Sequence, residues 1–136
     1  MFMEATLVQS KAVKNVQAYF DTHDAKYVAE DAVYTDMTTG EKIMGRQGVS
    51  NFLHYLYHVA FDAKAIINNV IITEEKAVLE VNFVGKHTGE FAGIPPTGKE
   101  VNVPICVTYD LNNEGLIQSA RIYMLTDIMM RQLKSN

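Results

Sequence analysis

Residues 101–125 read VNVPICVTYDLNNEGLIQSARIYML. Val101, Val103, Ile105 and Val107 alternate with Asn102, Pro104, Cys106 and Thr108. A period of two marks a strand whose side chains point alternately to opposite faces. The strand covers residues 101–111, and Asn112-Asn113-Glu114-Gly115 supplies turn residues. A second apolar run over residues 116–125 follows, so the stretch folds back on itself as an antiparallel hairpin. Both faces of its first strand carry enough apolar surface to need cover. A two-fold homodimer packed through the sheet is the expected cover for the outer face.

The same texture extends upstream. Residues 65–73 and 77–84 are rich in Val, Ile and Phe, with Glu74-Glu75-Lys76 between them as a hairpin turn. Residues 89–99 form a longer Gly/Pro connection. Nearer the N-terminus the period changes. Leu7, Val8, Ala12, Val16, Tyr19 and Phe20 fall on one stripe opposite Lys11, Lys14 and Gln17, which predicts a helix over residues 7–20. A short helical piece over 25–29, a short strand over 32–35 and a turn over 38–41 come next. Val49, Phe52, Leu53, Leu56 and Ala60 give the stripe of a second helix over 46–59, and a last helix starts near Thr126 and ends by Leu133. Helices packed on one side of an antiparallel sheet make the α+β class, in one domain over 1–136.

Composition narrows the partners. The chain has 136 residues, 48% hydrophobic and 21% charged, which suits one domain with its own core. Twelve basic against 16 acidic residues give a net charge of −4, and no basic run tracks phosphates, so nucleic acid is not the expected partner. The start, MFMEATLVQSKAVKN, carries Glu4 and no basic flank with a long apolar core, so no secretory leader is expected. No apolar run approaches the roughly 20 residues of a membrane helix. The single cysteine, Cys106, has no internal disulfide partner, which points to a reducing, cytoplasmic setting.

Residues 85–99 read GKHTGEFAGIPPTGK. With the alternating strand after it, the turn ending at Gly115 and RQL at 131–133, this stretch resembles the SnoaL-like polyketide cyclases of the nuclear-transport-factor-2-like superfamily. AYFDTHDAKYVAEDAVYTD at 18–36 and IMGRQGV at 43–49 resemble it too. The resemblance implies a cone-shaped half-barrel, a curved antiparallel sheet wrapped around N-terminal helices to enclose an apolar pocket. It also implies chemistry. Family cyclases close a carbon ring by an aldol step, in which an aspartate removes a proton alpha to a carbonyl. In the family pattern that aspartate ends the last strand, six residues before the Arg of RQL. The same count from Arg131 reaches Leu125, which cannot transfer a proton. The family's histidine on the neighbouring strand is also missing, because no histidine follows His87.

The expectation is therefore a protein that binds a small, mostly apolar molecule in its cone without the aspartate-dependent cyclase chemistry. Two alternatives stay open: an active cyclase, isomerase or dehydratase on a polyketide- or steroid-like substrate, and a homodimeric interaction domain with a vestigial pocket. Phe20, Tyr34, Phe52, Leu56, Phe83, Phe91, Tyr123 and Leu125 are the expected lining. Arg121 shares the face of Tyr123 and Leu125 and is a candidate for a carboxylate or enolate oxygen; its competing role is a salt bridge to Asp110. Asp36, His87 and Asp127 are the catalytic candidates. Each has a plain structural role as competitor: a turn carboxylate at Asp36, a loop-pinning histidine at His87, and an acid in the first turn of a helix capped by Thr126 at Asp127. His54 and His58 are spaced like a metal pair, but the intervening Tyr55, Leu56 and Tyr57 supply no acid, so no metal is expected. No cofactor is implied. Cys106 reads as a small buried strand residue, and Met124, Met129 and Met130 as core.

Overall fold

The computed structural model describes residues 10–135. Leu7 and Val8 of the expected first helix, and the start read for a leader, lie outside the described residues. Helix α1 covers Lys11–Thr22, its first turn capped by Ser10, whose hydroxyl accepts from the Val13 amide at 3.1 Å. The stripe read from the sequence is the buried one: Ala12, Val16 and Tyr19 face the core. The helix ends on His23, in the left-handed region at φ 55° with its amide on the Tyr19 carbonyl.

A 3₁₀ turn at Ala25–Tyr27 leads into β1, Val28–Asp36, longer than the strand the sequence suggested. A short β2, Lys42–Met44, returns beside it, and α2 follows over Gly45–His54. The expected second helix does not stay regular, because Tyr55–Ala60 winds as a π-helical turn. A wider turn of this kind rotates the side chains that follow it and recurs at functional sites. Strands β3 (Phe61–Ile72), β4 (Lys76–His87), β5 (Glu100–Leu111) and β6 (Ile117–Met124) then form the meander, and α3 closes the chain over Thr126–Lys134. Among the described residues, no helix is long and apolar enough to cross a membrane.

One curved sheet runs in the order β2-β1-β6-β5-β4-β3. Every neighbouring pair is antiparallel except β1 and β6, which are parallel. The expectation of an antiparallel sheet is corrected at that one seam. Parallel neighbours need a long crossover, and α2 with the β3–β4–β5 meander supplies it.

Val101, Val103, Ile105, Val107 and Tyr109 of β5 are buried on the inner face, beside Ala77, Leu79, Val81 and Phe83 of β4. At the β5–β6 turn, Gly115 takes a φ of 74°, and a Cβ there would lie 2.9 Å from the Ala12 amide nitrogen. Glycine is thus needed both for the turn and for seating α1 against it.

Two family-like stretches turn out to be one device. Lys99, at the end of GIPPTGK, donates Nζ to the Leu133 carbonyl at 3.0 Å and caps the C-terminus of α3. Gln132, in RQL, accepts from the Asn102 amide at 2.8 Å and donates to its carbonyl at 3.0 Å. Loop and final helix are therefore stitched together by groups that carry no acid–base function.

Candidate functional site

The inner face of the sheet, α1, the π turn and the 88–99 loop enclose a cavity of about 360 Å³. Its walls are apolar: Leu79 and Val81 from β4, Ile105 and Val107 from β5, Ile122 and Met124 from β6. Its rim is polar, built from Asp36, Thr38, Thr39 and Glu41 at the β1–β2 turn with Thr126 from α3. Thr38 and Thr126 hydroxyls meet across that rim at 3.3 Å.

The most buried polar lining groups are phenols. Tyr19, Tyr34 and Tyr109 are 2%, 2% and 4% exposed. Their rings pack edge to face, 6.2 Å between Tyr19 and Tyr109 and 6.3 Å between Tyr34 and Tyr109. Tyr34 donates its hydroxyl to the Tyr19 oxygen at 2.9 Å, so the Tyr19 proton stays free for another acceptor. Among the described residues, no group hydrogen-bonds the Tyr109 hydroxyl. Burial raises all three phenols well above their ordinary pKa, and pushes Tyr57 up to about 12, so each stays a neutral donor.

His23 is the other polar lining group. Its ring lies 4.8 Å from that of Tyr57 and 5.8 Å from that of Tyr19. Desolvation, and then the charge of nearby His58, lower its pKa, so the imidazole is neutral at pH 7. Tyr19, His23, Tyr57 and Tyr109 were all missed as site residues. Tyr19 reads as one more member of a helical stripe, and Tyr57 and Tyr109 as part of apolar runs. The one available signal is His23, which holds the position after a helix where glycine or asparagine is usual.

Of the residues expected to line the pocket, Phe20, Tyr34, Phe52, Leu56 and Phe91 do so. Phe83 does not. It is fully buried behind the cavity, against Tyr57 and Phe61 at 5.2 Å each. Arg121, Tyr123 and Leu125 are on the wrong face. Directly opposed residues of paired strands share a face. Ile105, Val107 and Tyr109 oppose Met124, Ile122 and Ala120, which therefore point inward. Cys106 and Thr108 oppose Tyr123 and Arg121, which point outward. Tyr123 is 44% and Leu125 51% exposed. The outward Arg121 takes its alternative role, a 2.9 Å pair with Asp110. Asp110 also binds Lys76 and Ser119, each at 2.6 Å; Arg121 foremost, with these two, holds its carboxyl well below the usual range.

Among the catalytic candidates, Asp36 lines the rim and accepts the Thr38 amide at 2.8 Å, as a turn carboxylate does. His87 lies outside the cavity, fully buried against Phe61. Its Nδ1 accepts the Thr97 amide at 3.1 Å, which pins the Pro-rich loop to the sheet. Asp127 sits in the first turn of α3 over a shallow surface depression, also away from the cavity. Thr126 does not cap that helix as expected; its hydroxyl turns to Thr38 and to the Met124 carbonyl.

Met129 is core as expected, but Met124 and Met130 line the cavity. Cys106 is only half-buried, on the outer face, with its thiol pKa raised by desolvation and then by Glu80. His54 and His58 stack at 5.5 Å on an exposed face. No group of three or more His, Cys, Asp or Glu among the described residues is placed to hold a metal.

The family model for the SnoaL-like polyketide cyclases matches residues 11–133. The chain belongs to that family. Comparison with curated proteins finds no match for this SnoaL-like chain. Solved structures share its fold. One, from Jannaschia sp. CCS1, is provisionally assigned as a SnoaL-like polyketide cyclase; it is 18% identical with a TM-score of 0.81, over 95% of this chain and 98% of that one. A counterpart from Shewanella denitrificans OS-217, with the same provisional assignment, is 20% identical with a TM-score of 0.76, over 94% and 100%. IdmH from Streptomyces antibioticus, provisionally a polyketide cyclase, is 20% identical with a TM-score of 0.70, over 91% and 99%. At these identities the likeness establishes the α+β cone and nothing finer.

Proposed function

We propose that this SnoaL-like protein binds a small, mostly apolar molecule in its cone and does not run the family's aspartate-dependent aldol cyclisation. The observation that carries the reading is the cavity itself: about 360 Å³, apolar-walled, with buried phenol donors and neutral His23 among its polar lining groups. Small-molecule sites are built this way, a few placed polar groups in an apolar shell. The guest is expected to carry an acceptor oxygen for the free Tyr19 and Tyr109 hydroxyls. The second half of the reading is supported by the lining: Leu125, which the sequence match sets in the place of the family's acid, faces away from the cavity, and the lining carboxylates, Asp36 and Glu41, stand at the rim. A cytoplasmic setting, inferred from the lone Cys106, belongs with this reading.

The test is binding with the cavity open and filled. The chain has seven Tyr and no Trp, so tyrosine emission reports on the lining directly. Quenching by small aromatic ketones is expected for the wild type. It should be lost in Ala65→Phe, which fills the cavity from strand β3 without adding an indole emitter. Equal quenching in both proteins would sink the binding reading.

Leu125→Asp is expected to change stability by less than about 0.5 kcal/mol, because the side chain is already exposed. It should confer no turnover of a polyketide methyl ester, since the new carboxylate would lie outside the cavity. Robust turnover by the wild type on such a substrate would overturn the loss of cyclase chemistry.

The oligomeric state belongs to the same reading. We propose a two-fold homodimer through the outer sheet face, where Ile66 and Tyr123 are exposed. The Asn82 amide bridges Asn68 and Asn102 between them. Light scattering at micromolar concentration should give twice the 15.3 kDa chain mass, and a monomer would defeat this.

A further inference from the structure

We propose that the cavity is a proton-transfer site, with the imidazole of His23 as the base and the hydroxyls of Tyr19 and Tyr109 as hydrogen-bond donors to the oxygen on which charge develops. The proposal rests on the binding reading above and deepens it. It assigns the base to the end of the first helix, far in sequence from the strand that carries the family's aspartate.

Three features meet at His23. Its backbone is in the left-handed region at φ 55°. That conformation is uncommon outside glycine, though histidine adopts it more readily than most residues, and here it ends helix α1 as a left-handed cap. It directs the ring into the cavity wall beside Tyr57 and Tyr19. Among the described residues, no group hydrogen-bonds either ring nitrogen.

The donors are placed to match. The Tyr19 ring neighbours both the others, 5.8 Å from that of His23 and 6.2 Å from that of Tyr109. A single small ring bound over Tyr19 can therefore present a C–H to the imidazole and an oxygen to the phenols. Tyr34 donates to Tyr19 and so strengthens the outward Tyr19 hydroxyl as a donor. Buried donors aimed at a developing oxyanion act in a medium of low dielectric, where they are worth most.

The titration is consistent with the geometry. The groups facing His23 are Tyr19 of its own helix and Tyr57 and His58 of the π turn; neighbouring Asp24 is engaged with the Lys26 amide at 2.9 Å. The phenols are neutral, and desolvation and His58 both disfavour the imidazolium. A depressed pKa means that the free base is present at neutral pH and is lost as pH falls through a value below the ordinary 6.5.

The class of substrate is a compact carbon acid whose ionisation puts charge on oxygen. The probe is 5-nitrobenzisoxazole. Its C3–H bond breaks, the proton goes to an imidazole nitrogen, and the electron pair becomes the third bond of a nitrile. The N–O bond breaks in turn, and its pair stays on the phenolate oxygen, against the phenol donors. The imidazolium then returns its proton to water, so no oxidant, reductant or cofactor is consumed.

Turnover should be visible for the wild type. Its kcat/KM should rise with pH to a plateau through a midpoint below 6.5. His23→Asn keeps a residue tolerant of the left-handed backbone and removes the base; it should lose about 100-fold or more in kcat. Tyr109→Phe should lose about 10- to 100-fold without moving the pH midpoint, since it removes a donor and not the base. Asp127→Asn, on α3 outside the cavity, should match the wild type. His23→Asn within about threefold of wild type overturns the proposal. Should that variant not fold, the wild-type profile still decides, and a profile with no fall in kcat/KM on the acid side, down to the pH at which the protein unfolds, overturns it. The stable isostere 5-nitroindole separates the two readings by tyrosine quenching. Quenching without turnover of the probe sinks the proton-transfer inference and leaves the binding reading standing. Absence of quenching sinks both.

Discussion

Replacing Phe61 by alanine should cost about 3–5 kcal/mol of folding stability, the range for emptying a large aromatic site in a packed core. Phe61 is 0% exposed, at the point where the π turn becomes β3. Its ring meets Phe83 edge-on at 5.2 Å, Phe91 at 5.2 Å and His87 at 5.1 Å. One side chain therefore joins the sheet, the cavity-lining loop and the end of the second helix. The neighbours are held by strand pairing and by the loop's own hydrogen bonds, so they cannot collapse into the space. Urea denaturation of wild type and Phe61→Ala checks this through the midpoint at constant slope. A loss below about 1 kcal/mol would show that the three rings do not depend on the fourth.

His87→Ala should be the second most damaging change, at about 3 kcal/mol. Two terms contribute: the space left by a fully buried ring, and the Thr97 amide that loses its acceptor. The effect should also be local. Gly98 and Lys99 keep their main-chain bonds to His87, at 3.0 and 2.8 Å, so β4 should stay paired while Thr97 is released. Hydrogen exchange at the Thr97 amide should speed up by more than at any β5 amide. Phe91, four residues from His87 in the same loop, should pack less firmly over the cavity, and guest affinity should fall as a consequence. Unchanged protection at Thr97 would mean that the ring does not hold the loop.

Much of the scaffold was legible in the sequence. The alternation over 101–109 marked β5 as a strand, and the structure then put Val101, Val103, Ile105 and Val107 on its inner face. The stripe Ala12, Val16, Tyr19 fixed which side of α1 is buried, and Asn112–Gly115 fixed the turn. These are local patterns, each written within about ten residues. The competing, plainer roles of Asp36 and His87 were legible too, since both follow from turn and loop chemistry.

What only the tertiary structure decided is register and convergence. Arg121, Tyr123 and Leu125 alternate as regularly as Ile122 and Met124, so the sequence held nothing to fix the inward phase of β6, and the phase expected was the wrong one; pairing to β5 across an irregularity at Asp110/Leu111 settled it. The parallel seam of β1 with β6 joins residues some 90 apart, and no local pattern encodes it. The site itself has the same origin. Tyr19, His23, Tyr57 and Tyr109 come from a helix, its cap, a π turn and a strand, each unremarkable in its own segment. Only the curvature of the sheet turns four ordinary aromatic positions toward one another, because a cavity is a property of surfaces that meet and not of any single stretch of chain.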